Sequence, residues 1–93
     1  MTYKFRYTMT YKKFEEEIKK LGLDYNHNPK VVAICDPTNQ GHPLIYVNPN
    51  ALNSMATTGN ILQLSEDVSF KLLTLCYKLA ITPLDERGTV VLD

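Results

Sequence analysis

The 93-residue chain is long enough for one domain and no more, and its 44% apolar and 22% charged residues exclude a disordered segment. Ten basic residues balance ten acidic ones, which argues against a dedicated nucleic-acid binder, a class that carries a basic surplus. No apolar run resembles a signal peptide or approaches the ~20 residues of a membrane span, so the expected location is the cytoplasm, with Cys35 and Cys76 reduced and no membrane partner.

Along the chain, residues 2–9 alternate, with Tyr3, Phe5, Tyr7 and Met9 on one side and Thr2, Lys4, Arg6 and Thr8 on the other. Period two with aromatic residues predicts a half-buried strand. Met-Thr-Tyr-Lys stands at 1–4 and again at 9–12, so residues 1–8 also read as an arm added ahead of Met9. Thr10 is a helix N-cap, and Tyr11, Phe14, Ile18 and Leu21 form one face of a helix over 11–21. Glu15–Lys19 and Glu16–Lys20 are spaced for ion pairs along it. Gly22 supplies a left-handed residue after the helix, and Leu23 can pack back onto its last turn.

Asn26-His27-Asn28-Pro29 reads as a turn. The apolar run 31–35 predicts a buried strand, the polar stretch 36–43 a loop, and 44–47 a second strand, so the two form a hairpin. Residues 51–58 alternate weakly as a third strand, broken at Gly59-Asn60. Ser65 caps a second helix with Glu66 and Asp67 in its first turn, where the helix dipole favours acids. Val68, Leu72, Leu75, Cys76 and Leu79 form its core stripe, flanked by Phe70 and Leu73. It should stop at Thr82-Pro83, where Thr82 caps a short further turn that Pro83 opens. Residues 89–92 have strand composition, and 88–93 form a tail. The expected fold is a single α+β domain over 1–93: a small antiparallel sheet of three to four strands with two helices on one face.

Residues 11–23, a short hairpin, and a helix ending Leu79-Ala80-Ile81-Thr82-Pro83-Leu84-Asp85-Glu86-Arg87 together resemble a group of small proteins of temperate phages and prophages of Gram-positive bacteria, lactic acid bacteria among them. The resemblance spans about residues 9–87, and its most specific piece is Thr-Pro-x-x-Glu-Arg. The first eight residues lie outside the pattern, and the tail after Arg87 is shorter and more apolar than the group's. No activity is established for the group. What the resemblance implies is a setting, a phage accessory protein in the host bacterial cytoplasm, and not a mechanism.

His27, Cys35, Asp36 and His42 are the one cluster of reactive residue types. A thiol nucleophile needs a base within reach, and the loop brings His42 back toward Cys35. However, no helix N-terminus stands there to lower the thiol pKa, so a core cysteine and two loop histidines is the favoured reading. The histidine spacing matches no zinc motif, the four glycines are scattered rather than gathered in a phosphate loop, and no cofactor is expected. Glu15-Glu16-Glu17 spans about 200° of a helix and reads as a solvated face. Asp85, Glu86 and Arg87 read as local caps and pairs.

Residues 1–30 hold a surplus of three basic charges and residues 31–93 a matching surplus of three acidic ones, suited to internal pairing or to head-to-tail contact. Tyr3, Lys4, Arg6, Tyr7, Lys12 and Lys13 interleave rings and cations and are the candidate partner-binding residues. The leading expectation is a non-enzymatic protein that binds a protein partner, with modulation of a host defence protein as one form. The alternative is a nucleic-acid-binding accessory protein that stacks bases on these rings. An enzyme using Cys35 and His42 ranks third. An exposed edge strand over residues 1–8 would also allow a homodimer.

Overall fold

The structure, a computed structural model, describes residues 8–38 and 42–88. Helix α1 (Tyr11–Lys20) leads into four strands, β1 (Asp24–His27), β2 (Val32–Cys35), β3 (Pro43–Val47) and β4 (Met55–Thr57). A 3₁₀ turn (Gly59–Gln63), helix α2 (Glu66–Ile81) and a second 3₁₀ turn (Leu84–Glu86) follow. The strands form one antiparallel sheet in sequential order β1-β2-β3-β4, and both helices pack on one face of it. The α+β fold expected from the sequence is the one observed.

The register explains which side chains reach the core. Tyr25 pairs with Ile34, and Ile34 with Ile45; His27 pairs with Val32, and Val32 with Val47. These two rows project toward the helices, because side chains alternate across a sheet. They meet Phe14 and Ile18 from α1 and Leu72, Cys76 and Leu79 from α2, all fully buried. Thr10 caps α1 by accepting a hydrogen bond from the Lys13 amide at 3.1 Å, and Ser65 caps α2 by accepting from the Val68 amide at 3.3 Å. Gly22 has φ +77°, the left-handed conformation expected of it, and Leu23 is buried behind it.

Several expectations need correction. Asn26-His27 is strand and not turn: Tyr25 and His27 face the helices while Asn26 points outward, so the segment alternates. The reversal lies one step later, where the Asn28 side chain accepts from the amides of Lys30 (2.8 Å) and Val31 (3.0 Å). The third predicted strand shrinks from 51–58 to Met55–Thr57, because Asn53 sits at φ +56° and donates its amide to the Ala80 carbonyl at 2.7 Å. The helix does stop at Thr82-Pro83, but Thr82 does not cap the next turn. Its hydroxyl donates to the Lys78 carbonyl at 2.7 Å and accepts from the Met9 amide at 2.9 Å. Of the strand predicted over 2–9, residues 1–7 lie outside the described residues, as do 89–93; Thr8 and Met9 are not in the sheet, and Met9 is buried against Thr82.

Arg87 holds these pieces together. It is completely buried, and its guanidinium donates to four main-chain carbonyls: Thr82 (3.0 Å), Ala80 (3.0 Å), Asn48 (2.9 Å) and Ala51 (3.4 Å). Its own carbonyl accepts from the amide of Tyr11, the first residue of α1, at 2.7 Å. Local pairing had been expected of Arg87; instead one side chain joins the end of α2 to the β3–β4 connection. Arg87→Met removes the donors while keeping the bulk, so buried carbonyls lose their partners, and stability should fall by about 3–5 kcal/mol. Arg87→Lys should also lose more than about 1 kcal/mol, since one ammonium cannot span the positions a planar fork reaches. Urea unfolding followed by circular dichroism measures both.

Candidate interaction surface

The reactive cluster singled out in the sequence is divided by the sheet. His27 faces the helices, whereas Cys35 faces the other side, where the Asn26 amide reaches its Sγ at 3.7 Å. Asp36 turns onto its own loop, its Oδ1 accepting from the amide (2.9 Å) and the hydroxyl (2.7 Å) of Thr38. His42 is exposed ahead of β3. Burial raises the Cys35 thiol above the usual range; the Asn26 hydrogen bond opposes that and nearby Asp24 adds to it. Burial alone pushes the Cys76 thiol up to about 12. Both thiols should therefore react slowly with a disulfide reagent at pH 8 in the folded protein, and both at once in urea. Rapid titration of either in the native state would contradict this. Among the described residues, no group of three or more His, Cys, Asp or Glu side chains is placed to hold a metal ion.

His27 sits in an aromatic nest. Its Nδ1 lies 2.7 Å from the Tyr25 hydroxyl, and its ring meets the Tyr11 ring edge-on at 4.5 Å between centroids. Desolvation, and secondarily the positive charge of Arg87, lower its pKa. A proton then binds the unfolded chain more tightly than the folded one. Stability should be highest where the imidazole is neutral and should fall as pH drops below about 6.5, the unfolded value. His27→Gln should flatten that slope between pH 7 and pH 5.5 in urea-midpoint measurements.

Of the candidate partner-binding residues, Tyr3, Lys4, Arg6 and Tyr7 lie outside the described residues. Lys12 and Lys13 are exposed in the first turn of α1. The Lys13 ammonium is held by Glu17 at 3.1 Å, and Lys20 reaches the same carboxylate oxygen at 3.3 Å in place of the expected Glu16–Lys20 pair. These two cations hold the Glu17 carboxyl below its usual range. Lys19 pairs with Glu15 at 2.8 Å as expected.

The surface that stands out lies on α2. Leu72, Cys76, Leu79 and Ala80 bury its inner face. At 100° per residue, Phe70, Thr74, Tyr77 and Ile81 fall within about 60° of one another on the opposite side. Phe70 is 70% exposed and Tyr77 54%. Thr74 turns its hydroxyl back to the Phe70 carbonyl at 2.8 Å. Beside Phe70 a cleft of about 420 Å³ opens between the helices, lined by Glu17, Lys20, Leu21, Lys71, Thr74 and Leu75. Lys71 stands at its rim, paired with Asp67 at 3.1 Å. Phe70, expected beside the core stripe, is exposed instead, and Leu75, expected in the core, is half-buried at the cleft. The signal that distinguishes the two faces was present in the sequence: Phe70, Tyr77 and Ile81 recur at helical spacing, out of phase with Leu72, Cys76 and Leu79.

Known protein families, characterised proteins and solved structures were all compared with this chain, and none matches it. Among the described residues, no helix is long and apolar enough to cross a membrane.

Proposed function

We propose that this chain is a non-enzymatic protein-binding module that docks a protein partner on the outward face of α2. The observation that carries the reading is the placement of Phe70 and Tyr77 in solvent, two turns apart, on a helix whose other face is already fully used by the core. Burying a large apolar side chain is worth about 1.5–3 kcal/mol relative to leaving it in water, so covering both rings is a substantial driving force for association. Aromatic residues are enriched at the centres of interfaces, with polar residues around them. Here the Asp67–Lys71 and Glu17–Lys20 pairs form such a rim, and the cleft beside Phe70 has room for a side chain of the partner. The resemblance carried by Thr82-Pro83 and Glu86-Arg87 supports a setting for this activity: an accessory protein of a temperate phage or prophage that occludes a host or phage protein in the bacterial cytoplasm.

The test is affinity capture from host lysate with the wild-type chain and a Phe70→Asp/Tyr77→Asp variant, after confirming that the two have the same circular dichroism spectrum and urea midpoint. A protein retained by the wild type and reduced at least about tenfold by the variant is expected, a change of about 1.4 kcal/mol. An identical set retained by both would overturn the reading.

A further inference from the structure

We infer that Tyr11 is an acid-released lid over His27: a proton on the imidazole frees the first turn of α1 from Thr82 and Arg87 while the sheet and α2 stay folded. The device is separate from the face of α2 discussed above. His27 ends β1, an edge strand of the sheet. Tyr11, the first residue of α1, lies against it edge-on at 4.5 Å and is itself buried. The Tyr25 hydroxyl, 2.7 Å from Nδ1, closes a second side. The titratable and charged groups around the ring come from three elements. Tyr25 is on its own strand, Tyr11 and, acting on Tyr25, Glu15 are on α1, and Arg87 follows the second 3₁₀ turn. The neighbours of His27 in its sheet row, Val32 on β2 and Val47 on β3, are apolar. Glu15, the one acid of the set, is paired with Lys19 at 2.8 Å. An imidazolium here is therefore a second cation near the Arg87 guanidinium, in a half-buried site. It also adjoins the first residue of α1, the end at which a helix dipole disfavours positive charge.

The strength of each attachment decides what gives way. All four residues of β1 are paired with β2, and the Arg87 side chain is held by four carbonyls. From Phe14 onward α1 is anchored by Phe14 and Ile18, both fully buried. The segment before Phe14 is tied to the rest of the domain by two main-chain donors. The Tyr11 amide donates to the Arg87 carbonyl at 2.7 Å, and the Met9 amide to the Thr82 hydroxyl at 2.9 Å. Breaking these two bonds and swinging Tyr11 outward lets water reach the imidazole without disturbing a strand. The open form thus holds a proton on His27 more tightly than the closed form does, so acid favours opening. With an ordinary value of about 6.5 in the open form, linkage limits the rise in the open-to-closed ratio to about tenfold between about pH 7.5 and pH 5.5.

Amide hydrogen exchange of the full chain, followed residue by residue by NMR and corrected for intrinsic rates, tests this without any substitution. The opening constants of the Met9 and Tyr11 amides should rise severalfold, and by no more than about tenfold, between about pH 7.5 and pH 5.5. Global unfolding carries the same proton linkage, so urea separates the two events. Lid opening exposes little surface, and exchange at Met9 and Tyr11 should respond weakly to sub-denaturing urea, whereas amides in the middle of α2 respond steeply. His27→Gln should abolish the pH response at Met9 and Tyr11. The lid itself is tested by the titration of the His27 ring protons. Tyr11→Ala should move that titration up toward about 6.5, and Tyr11→Phe, which keeps the ring, should leave it where the wild type has it. Opening constants at Met9 and Tyr11 that do not change with pH, or that share the urea dependence of α2, overturn the local release. A His27 titration that is the same in Tyr11→Ala as in the wild type overturns Tyr11 as the lid.

Discussion

A guanidinium taken out of bulk water needs partners for its donors, and at Arg87 four main-chain carbonyls supply them. Taking such a group out of water is costly, and without partners it would be prohibitive. The cost is met by gathering oxygens that would themselves otherwise be unsatisfied. The last carbonyls of any helix have no partner within it. In α2 those of Lys78 and Leu79 bond to Thr82, and that of Ala80 to Arg87 and to Asn53. The side chain thus solves the capping problem of α2, and it sits where the helix dipole favours a cation. Its other two bonds, to Asn48 and Ala51, hold the connection that leads from β3 into β4, and its carbonyl receives the first amide of α1.

The consequence for the surface is direct. α2 is fixed from one end by Arg87 and Thr82 and along one side by Leu72, Cys76 and Leu79 against the sheet. Nothing in this scheme uses the side carrying Phe70 and Tyr77. The helix owes its position to contacts made elsewhere, so those rings are free to differ from the polar residues that a solvated helix face ordinarily carries. A helix fixed in this way holds the two rings at a constant spacing.

How far the fold could be read from the sequence varied with how loudly each element announced itself. Both helices were legible because their caps and periodicities agree. β2 was legible because four consecutive apolar residues are buried on both sheet faces. β1 was hidden: two of its four residues are Asp and Asn, and the alternation that matters, Tyr25 and His27 inward, rests on a histidine that turn chemistry equally accommodates. Arg87 was hidden for a different reason. Arginine is rarely fully buried, and its acceptors are backbone atoms contributed by residues 36–39 positions earlier as well as by its neighbours, which no local pattern reveals. The α2 surface was legible in its spacing but was absorbed into the core stripe, since an apolar helix residue is most often an inward one.

The same division bears on the Thr-Pro-x-x-Glu-Arg segment, the most specific part of the phage resemblance. Thr82 and Arg87 are both fully buried, and each bonds main-chain groups of distant segments. Pro83 ends the helix by removing a donor and forcing Thr82 into an extended conformation, with ψ at 128°. Each of these roles is met by the fold alone. A motif of this kind marks a way of closing the C-terminal end of a helix over a two-layer domain, and two chains that share it need share nothing in what they bind. Positions 70 and 77 stand in the opposite relation: the fold leaves both rings in solvent and gives neither a packing role. The large apolar side chains that packing does not explain are Phe70 and Tyr77 on α2 and Leu52, Leu62 and Leu84 outside it.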